Sequence, residues 1–402
     1  MGDAFVMAVT RRTLLRGMSA APLAAAAGGL VLPSTARAAA SDYRVRMRER
    51  PLEPVSYTYP SAIAGLANEL PAAPLVQEVL RNADREAVAN PGGWAKPTRL
   101  TYSFGWDPST KDGTTREWYP QGVSTSYDAY QGPLPGTNTD ADKRAVLVSW
   151  YAKGASLGKG ARVTFVDVTA PSRPRYRHVL LVEPKKSAGE PYDFSPVNVH
   201  AGGIAWYGTR LYLADTRGGL RVFNIDQMFQ VSTGGAAARW CGYHAGDKKY
   251  YALGYRYVLP QSRAYDNAGA PLRFSQVAVD RTTPQPSIVV SEWRPHSQNG
   301  KAVRWYMNPE TSSITSEEAV EERRIGIANV QGAVSVNGTY YFSVSDGTTR
   351  RGRLYRRPRG NARDPYGYLS IGPEDLSYDG DRDGIWGLGE HPRKRHVYVV
   401  GR

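Results

Sequence analysis

The sequence predicts an all-β fold of the β-propeller type. Three observations point there: short strand-like runs recur in groups, glycine and proline punctuate them, and aromatic residues are plentiful. The chain has 402 residues with 41 Gly, 28 Pro, 26 Tyr and 9 Trp, a profile that suits many turns and half-buried strands rather than helices.

From Pro97 onward, runs of five to eight residues are separated by Gly, Pro, Asn and Asp. One group reads 122–126, 145–151, 162–168 and 177–182. The next reads 203–206, 210–214, 220–225 and 250–258. A third reads 274–279, 287–293 and 303–307, and a fourth 332–336, 339–343 and 353–355. The last reads 384–388 and 396–400, with Leu100 to Phe104 available to complete it. A unit of three or four antiparallel strands cannot bury both faces alone, so the units must stack. A propeller does this while leaving only short edges. The grouping favours five blades, with six or seven open, and an N-terminal strand closing the last blade. A β-sandwich is the competing architecture.

Three domains follow. Residues 1–38 form a leader, 39–95 an N-terminal extension with a short helix, and 96–402 the propeller. In the leader, Arg11-Arg12 is followed by Leu14-Leu15 and an alanine-rich apolar run to Leu32. Ala36-Arg37-Ala38 supplies a small-x-small cleavage site, so the pattern is that of a twin-arginine signal peptide and predicts secretion. The run is shorter than the roughly 20 apolar residues of a membrane span, and Gly28, Gly29 and Pro33 interrupt it. In the extension, Ala62 to Val88 contains the one convincing helical stretch, a short helix with Leu75, Val76, Val79 and Leu80 on one face.

Cys241 is the only cysteine, so no intrachain disulfide forms and packing alone must hold the fold. The net charge is +14, but the basic residues are dispersed and no nucleic-acid module accompanies them. Anionic cell-wall polymers, or an extracellular protein, fit that charge as partners of a monomer better than nucleic acid does. No nucleophile-elbow, zincin or P-loop motif is present, which removes the commonest covalent, zinc-peptidase and nucleotide chemistries.

Candidate site residues come from the blade openers. Tyr119-Pro120-Gln121-Gly122, His200-Ala201-Gly202-Gly203 and Asn329-Val330-Gln331-Gly332 each place a polar residue beside glycine. Glycine lets backbones approach closely near an axis. Gln121, His200 and Gln331 are therefore expected at one mouth of a central channel, joined by Glu374 and Asp375 from the last blade. They could hold a ligand or simply satisfy a polar channel. Separately, Asp379, Asp381 and Asp383, the carbonyl of Ile385, and Glu390 match a calcium-loop spacing. The flanking helices of an EF-hand are missing, with 371–378 at most one turn, so an Asp/Gly-rich β-turn is the competing reading.

The openers also resemble a family of secreted bacterial β-propellers. Pro120-Gln121-Gly122, the segment His200 to Ile204, Leu211-Tyr212-Leu213-Ala214-Asp215 and Val330-Gln331-Gly332 match its motifs in order. That resemblance implies the fold and export, not an activity. A weaker likeness, in export, size and fold type, is to actinomycete dispase autolysis-inducing proteins, which are propellers that act on metalloproteases and are transglutaminase substrates. It implies surface glutamines such as Gln77, Gln131, Gln261 or Gln298 as cross-linking sites. Together these features lead to a non-catalytic binding or scaffold module of the cell wall or medium. The alternative is a metal-dependent hydrolase or lactonase using the channel, with His200, Glu374 and Glu390 as ligands and calcium as a candidate ion.

Overall fold

A computed structural model describes residues 40–48, 57–71, 75–135, 143–235, 239–358 and 365–402. The leader lies outside them. Among the described residues no helix is long and apolar enough to cross a membrane.

The fold is a β-propeller built from antiparallel units, each opened by an inner strand. The first unit is β1 (Trp118–Thr125), Ala145–Ala152, Ala161–Asp167 and Arg175–Lys186. The second is β2 (Ile204–Tyr207), Arg210–Asp215, Gly219–Asn224 and Tyr257–Asn267. Tyr257–Asn267 also runs parallel to Arg175–Lys186 through Val258↔Leu180, which joins the first two units in one continuous sheet. The third contains β3 (Gln276–Asp280), Ser287–Ser291 and Lys301–Asn308. The fourth contains β4 (Val330–Val336), Thr339–Val344, Arg351–Arg357 and Pro365–Ile371. The fifth contains β5 (Pro373–Asp379), Gly384–Gly389 and Val397–Gly401. Leu100–Gly105 lies antiparallel to Val397–Gly401, with Phe104 opposite Val397.

Packing between units explains why so many strands are apolar on both faces. Successive strand side chains point to opposite sides. In Ala145–Ala152, Leu147 enters a core with Val163, Phe165 and Leu181. Its neighbours Val146, Val148 and Trp150 enter a different core with Trp106, Tyr176 and Trp386. One strand thus serves two inter-unit layers, and each fully buried aliphatic contributes about 1.5–3 kcal/mol. Some polar groups inside these layers are bonded to one another. Trp150 Nε1 donates to Thr164 Oγ1 at 2.7 Å, and Thr164 meets His178 Nδ1 at 2.7 Å. Arg162 reaches Asp112 at 3.1 Å.

Several elements differ from the sequence expectation. The extension forms two helices, α1 (Tyr59–Glu69) and α2 (Val76–Arg81), where one short helix within 62–88 is expected; α2 carries the expected face, with Val76, Val79 and Leu80 buried. Thr58 caps α1 and a proline sits in its first turn, so it starts earlier. Val88–Ala89 is a strand on Leu100–Gly105, not helix. The extension lies along outer strands: Val45–Arg48 pairs with Tyr257–Asn267 and Arg85–Glu86 with Arg175–Lys186. The span 250–258 is divided between a separate hairpin, Cys241–His244 with Lys249–Ala252, and the start of Tyr257–Asn267. Residues 371–378 are mostly β5, a strand rather than a helical turn.

Candidate functional site

The inner strands meet around the propeller axis. β1 neighbours β2 and β5, β2 neighbours β3, β3 neighbours β4, and β4 neighbours β5. Glycine makes this approach feasible at two levels of the mouth. A Cβ on Gly122 would lie 2.6 Å from the Ile204 amide nitrogen, and one on Gly332 would lie 2.7 Å from the Glu374 carbonyl oxygen. Side chains there would force the strands apart.

At the mouth, a bulge between Pro120 and Val123 re-aims β1. Gln121 is buried, and its amide nitrogen donates to the Pro120 carbonyl at 3.0 Å and to Glu390 Oε2 at 3.2 Å. Glu390 follows the strand Gly384–Gly389. Its backbone N–H donates to the Gly372 carbonyl at 2.9 Å, fixing it beside the entry to β5. His391 Nδ1 lies 3.4 Å from Glu390 Oε1. Tyr151 packs against His200 with ring centroids 4.2 Å apart and planes tilted by 32°. Burial raises the Tyr151 hydroxyl pKa, and the Glu390 and Glu374 carboxylates raise it further. These two rings line a groove of about 480 Å³ at the rim.

Glu374 is the unusual member. Its residue is only 6% exposed, and among the described residues no protein group donates a hydrogen bond to its carboxyl. Burial drives its pKa well above the normal carboxyl range, and the charges of Glu390 and Asp375 add to the shift. Burial and the neighbouring carboxylates therefore favour its protonated form.

Deeper on the axis the carboxylates are satisfied. Asp375 Oδ2 accepts from the Val123 and Ile204 backbone N–H groups at 3.1 and 3.0 Å, and Oδ1 from the Leu376 N–H at 2.9 Å. One carboxyl thus ties β5 to β1 and β2. Gln276 links β3 to β4 by donating to the Ala333 carbonyl at 2.8 Å. At the far end the short helix α3 (Ser126–Tyr130) packs against β1, β2 and β5. Its Asp128 is fully buried, and Oδ2 accepts from Ser124 Oγ and Ser377 Oγ, each at 2.6 Å, and from the Thr125 N–H at 3.2 Å. Burial pushes its pKa up to about 7 against those bonds.

The structure therefore brings Gln121, Glu374, Asp375 and Glu390 to the axis, with His200 beside them through Tyr151. Gln331 opens β4, half-buried, one residue before the glycine that packs on Glu374 and Asp375. Sequence reasoning missed Tyr151, His391 and Asp128. The spacing Thr125-x-x-Asp128 is a helix-capping signal that could have flagged the last of these.

The proposed calcium loop is corrected. Asp379, Asp381 and Asp383 lie at the hairpin between β5 and Gly384–Gly389, whereas Glu390 lies beyond the other end of that strand. Six extended residues at about 3.3 Å each put Glu390 roughly 20 Å from the three aspartates. Ile385 is paired with Tyr378 and Val400 within the sheet. The aspartates have other partners: Asp379 accepts from Trp386 Nε1 at 3.1 Å, Asp381 pairs with Arg144, and Asp383 with Arg402. Among the described residues no three His, Cys, Asp or Glu side chains come together to hold a metal ion, so His200, Glu374 and Glu390 are not a ligand set either. Gln261, expected at the surface, is 1% exposed and donates to the Tyr59 hydroxyl at 2.8 Å.

No family model matches the chain, and no curated protein matches it. Among solved structures it is similar to a gluconolactonase from Xanthomonas campestris, at 10% identity over 78% of this chain and 87% of that one, with a TM-score of 0.32. It is also similar to the GH43_1 enzyme from Xanthomonas citri, at 8% identity over 75% and 90%, with a TM-score of 0.35. A third is the β-propeller domain of Cps50 (Swd1) from Myceliophteria thermophila, at 8% identity over 72% and 98%, with a TM-score of 0.31. Overlaps this loose transfer no chemistry to this chain.

Proposed function

We propose that this chain is an exported five-bladed propeller, closed by Leu100–Gly105 on the last blade, whose axial mouth carries out acid–base hydrolysis of a small neutral polar substrate. The blade number and closure are supported by inner strands that neighbour one another in chain order, with β5 returning to β1. Export is supported by the paired arginines, apolar run and small-x-small site of the leader.

The observation that carries the chemistry is Glu374. Its carboxyl is buried, has no protein donor among the described residues, and lies near the charges of Glu390 and Asp375, and strongly shifted acids cluster at functional sites. Beside it stands Glu390, partly open to solvent and oriented by Gln121. Two carboxyls in such different environments divide naturally into an acid and a base. In this reading Glu374 gives its proton to the leaving oxygen of a glycoside or lactone. Glu390 takes a proton from the attacking water, and the proton returns to Glu374 when the product leaves. Gln121 positions Glu390. Tyr151 and His200 offer a stacking face at the rim for the substrate.

The test is turnover of chromogenic aryl glycosides and of small lactones by the mature chain. Glu390→Gln and Glu374→Gln should each lower kcat at least 100-fold while the protein stays folded. A folded wild type inert toward both classes, or turnover unchanged in both variants, overturns the reading.

The net charge of +14 favours a second reading, in which the propeller is a scaffold held on anionic cell-wall polymers. Retention on wall fractions at low salt and release at high salt would support it, since exposed charge attractions are screened by salt.

A further inference from the structure

Arg210 begins the second strand of the second unit and Arg263 lies on its outermost strand. Together they line a groove of about 440 Å³ that is also walled by Ile63, Ala64 and Ala67 of α1 and by Phe229. Arg210 is half-buried, and its Nε is sealed from solvent with no hydrogen-bond partner. Among the described residues its guanidinium makes no hydrogen bond or ion pair. Arg263 donates only to uncharged atoms, Ser313 Oγ at 3.1 Å and Met47 Sδ at 3.9 Å. Asp226 also lines the groove but is ion-paired with neither arginine.

The two half-covered cations share one groove in which Arg263 finds only uncharged acceptors and Arg210 feels Asp226 at a distance without pairing with it. Burial lowers the pKa of Arg210, and the charge of Arg263 lowers it further. Arginine presents a planar fork of donors that matches carboxylate or phosphate oxygens. The apolar side of the groove calls for hydrocarbon rather than water. We infer that this groove binds a small amphipathic anion, its carboxylate or phosphate head between Arg210 and Arg263 and its hydrocarbon body against Ile63, Ala64, Ala67 and Phe229. This site is separate from the axial mouth and does not depend on the acid–base reading.

The test is calorimetric titration of the full chain at low ionic strength with octyl phosphate, octanoate and inorganic phosphate, each below any micellar concentration. Saturable one-to-one binding of an octyl probe is expected, with inorganic phosphate at least tenfold weaker. The preferred octyl probe identifies the head group. Arg210→Met and Arg263→Met should each weaken binding at least tenfold, and Ala67→Asp, at the hydrocarbon end, should abolish it. Glu374→Gln should leave it unchanged. No saturable binding of either octyl probe overturns the inference. So does unchanged affinity in whichever arginine variant remains folded by circular dichroism, or inorganic phosphate binding as tightly as the octyl probes.

Discussion

The two ends of the propeller axis each bury a carboxyl group, and they treat it in opposite ways. At the far end, Asp128 of α3 accepts two hydroxyl hydrogen bonds and one backbone N–H, drawn from β1 and β5. At the mouth, Glu374 is equally buried, and no protein donor among the described residues reaches it. The first arrangement uses a charge-capable group to tie strands together. The second leaves such a group without a protein donor beside another carboxylate, the setting of a site rather than of a structural tie.

The largest expected effect breaks the tie between those ends. Asp375→Ala removes the acceptor shared by the Val123 and Ile204 N–H groups. Two buried donors left bare should cost about 3–5 kcal/mol in denaturant unfolding. A loss below about 1 kcal/mol would mean that the axis does not depend on this carboxyl.

Asp128 gives a pH-dependent version of the same comparison. Its folded-state pKa, about 7, is raised by burial above the ordinary carboxyl value. Its protonated form therefore favours folding fully below about pH 4, and that contribution is lost as pH rises through about 7. Wild type should lose roughly 1–4 kcal/mol across this window, and Asp128→Asn should flatten that part of the profile. An identical slope in the variant would show that Asp128 is not the titrating group.

Glu374→Leu sharpens the contrast from the other side. Replacing an unsatisfied carboxyl with an apolar group of similar size should be neutral or stabilising by about 1 kcal/mol, while hydrolysis is lost. Destabilisation by several kcal/mol would place Glu374 among the structural groups with Asp128. The smallest expected effect is that of calcium. With the three aspartates far from Glu390, added calcium should not shift the melting temperature, and a saturable rise would restore a metal role for Asp379, Asp381 and Asp383.

Much of the strand framework was legible because it follows local rules. Runs such as Ala145–Ala152 and Arg210–Asp215 are rich in β-branched and aromatic residues, and polar or glycine-containing turns bound them. What was not legible lies at the axis. β5 reads Pro-Glu-Asp-Leu-Ser-Tyr-Asp, a composition normally found in turns. It is a strand because neighbouring backbones satisfy Asp375 and a capping helix satisfies Ser377 through Asp128. No local pattern encodes those partners, which come from 250 residues away in sequence. The calcium spacing failed for the converse reason. The letters fit a compact loop, but Gly384–Gly389 is extended, and extended chain carries its last ligand away. Of the site itself, the glycine-flanked Gln121 was readable from its turn. Tyr151 was not, because it looks like any other strand aromatic.

The pairing of Leu100–Gly105 with Val397–Gly401 has a consequence for how the molecule comes into being. An early segment waits with one edge unpaired until almost three hundred further residues have been synthesised, so the last sheet cannot be completed on the ribosome before Gly401 emerges. Contacts so distant in sequence make for slow folding. A nascent chain stalled even a few residues short would expose a strand edge open to aggregation.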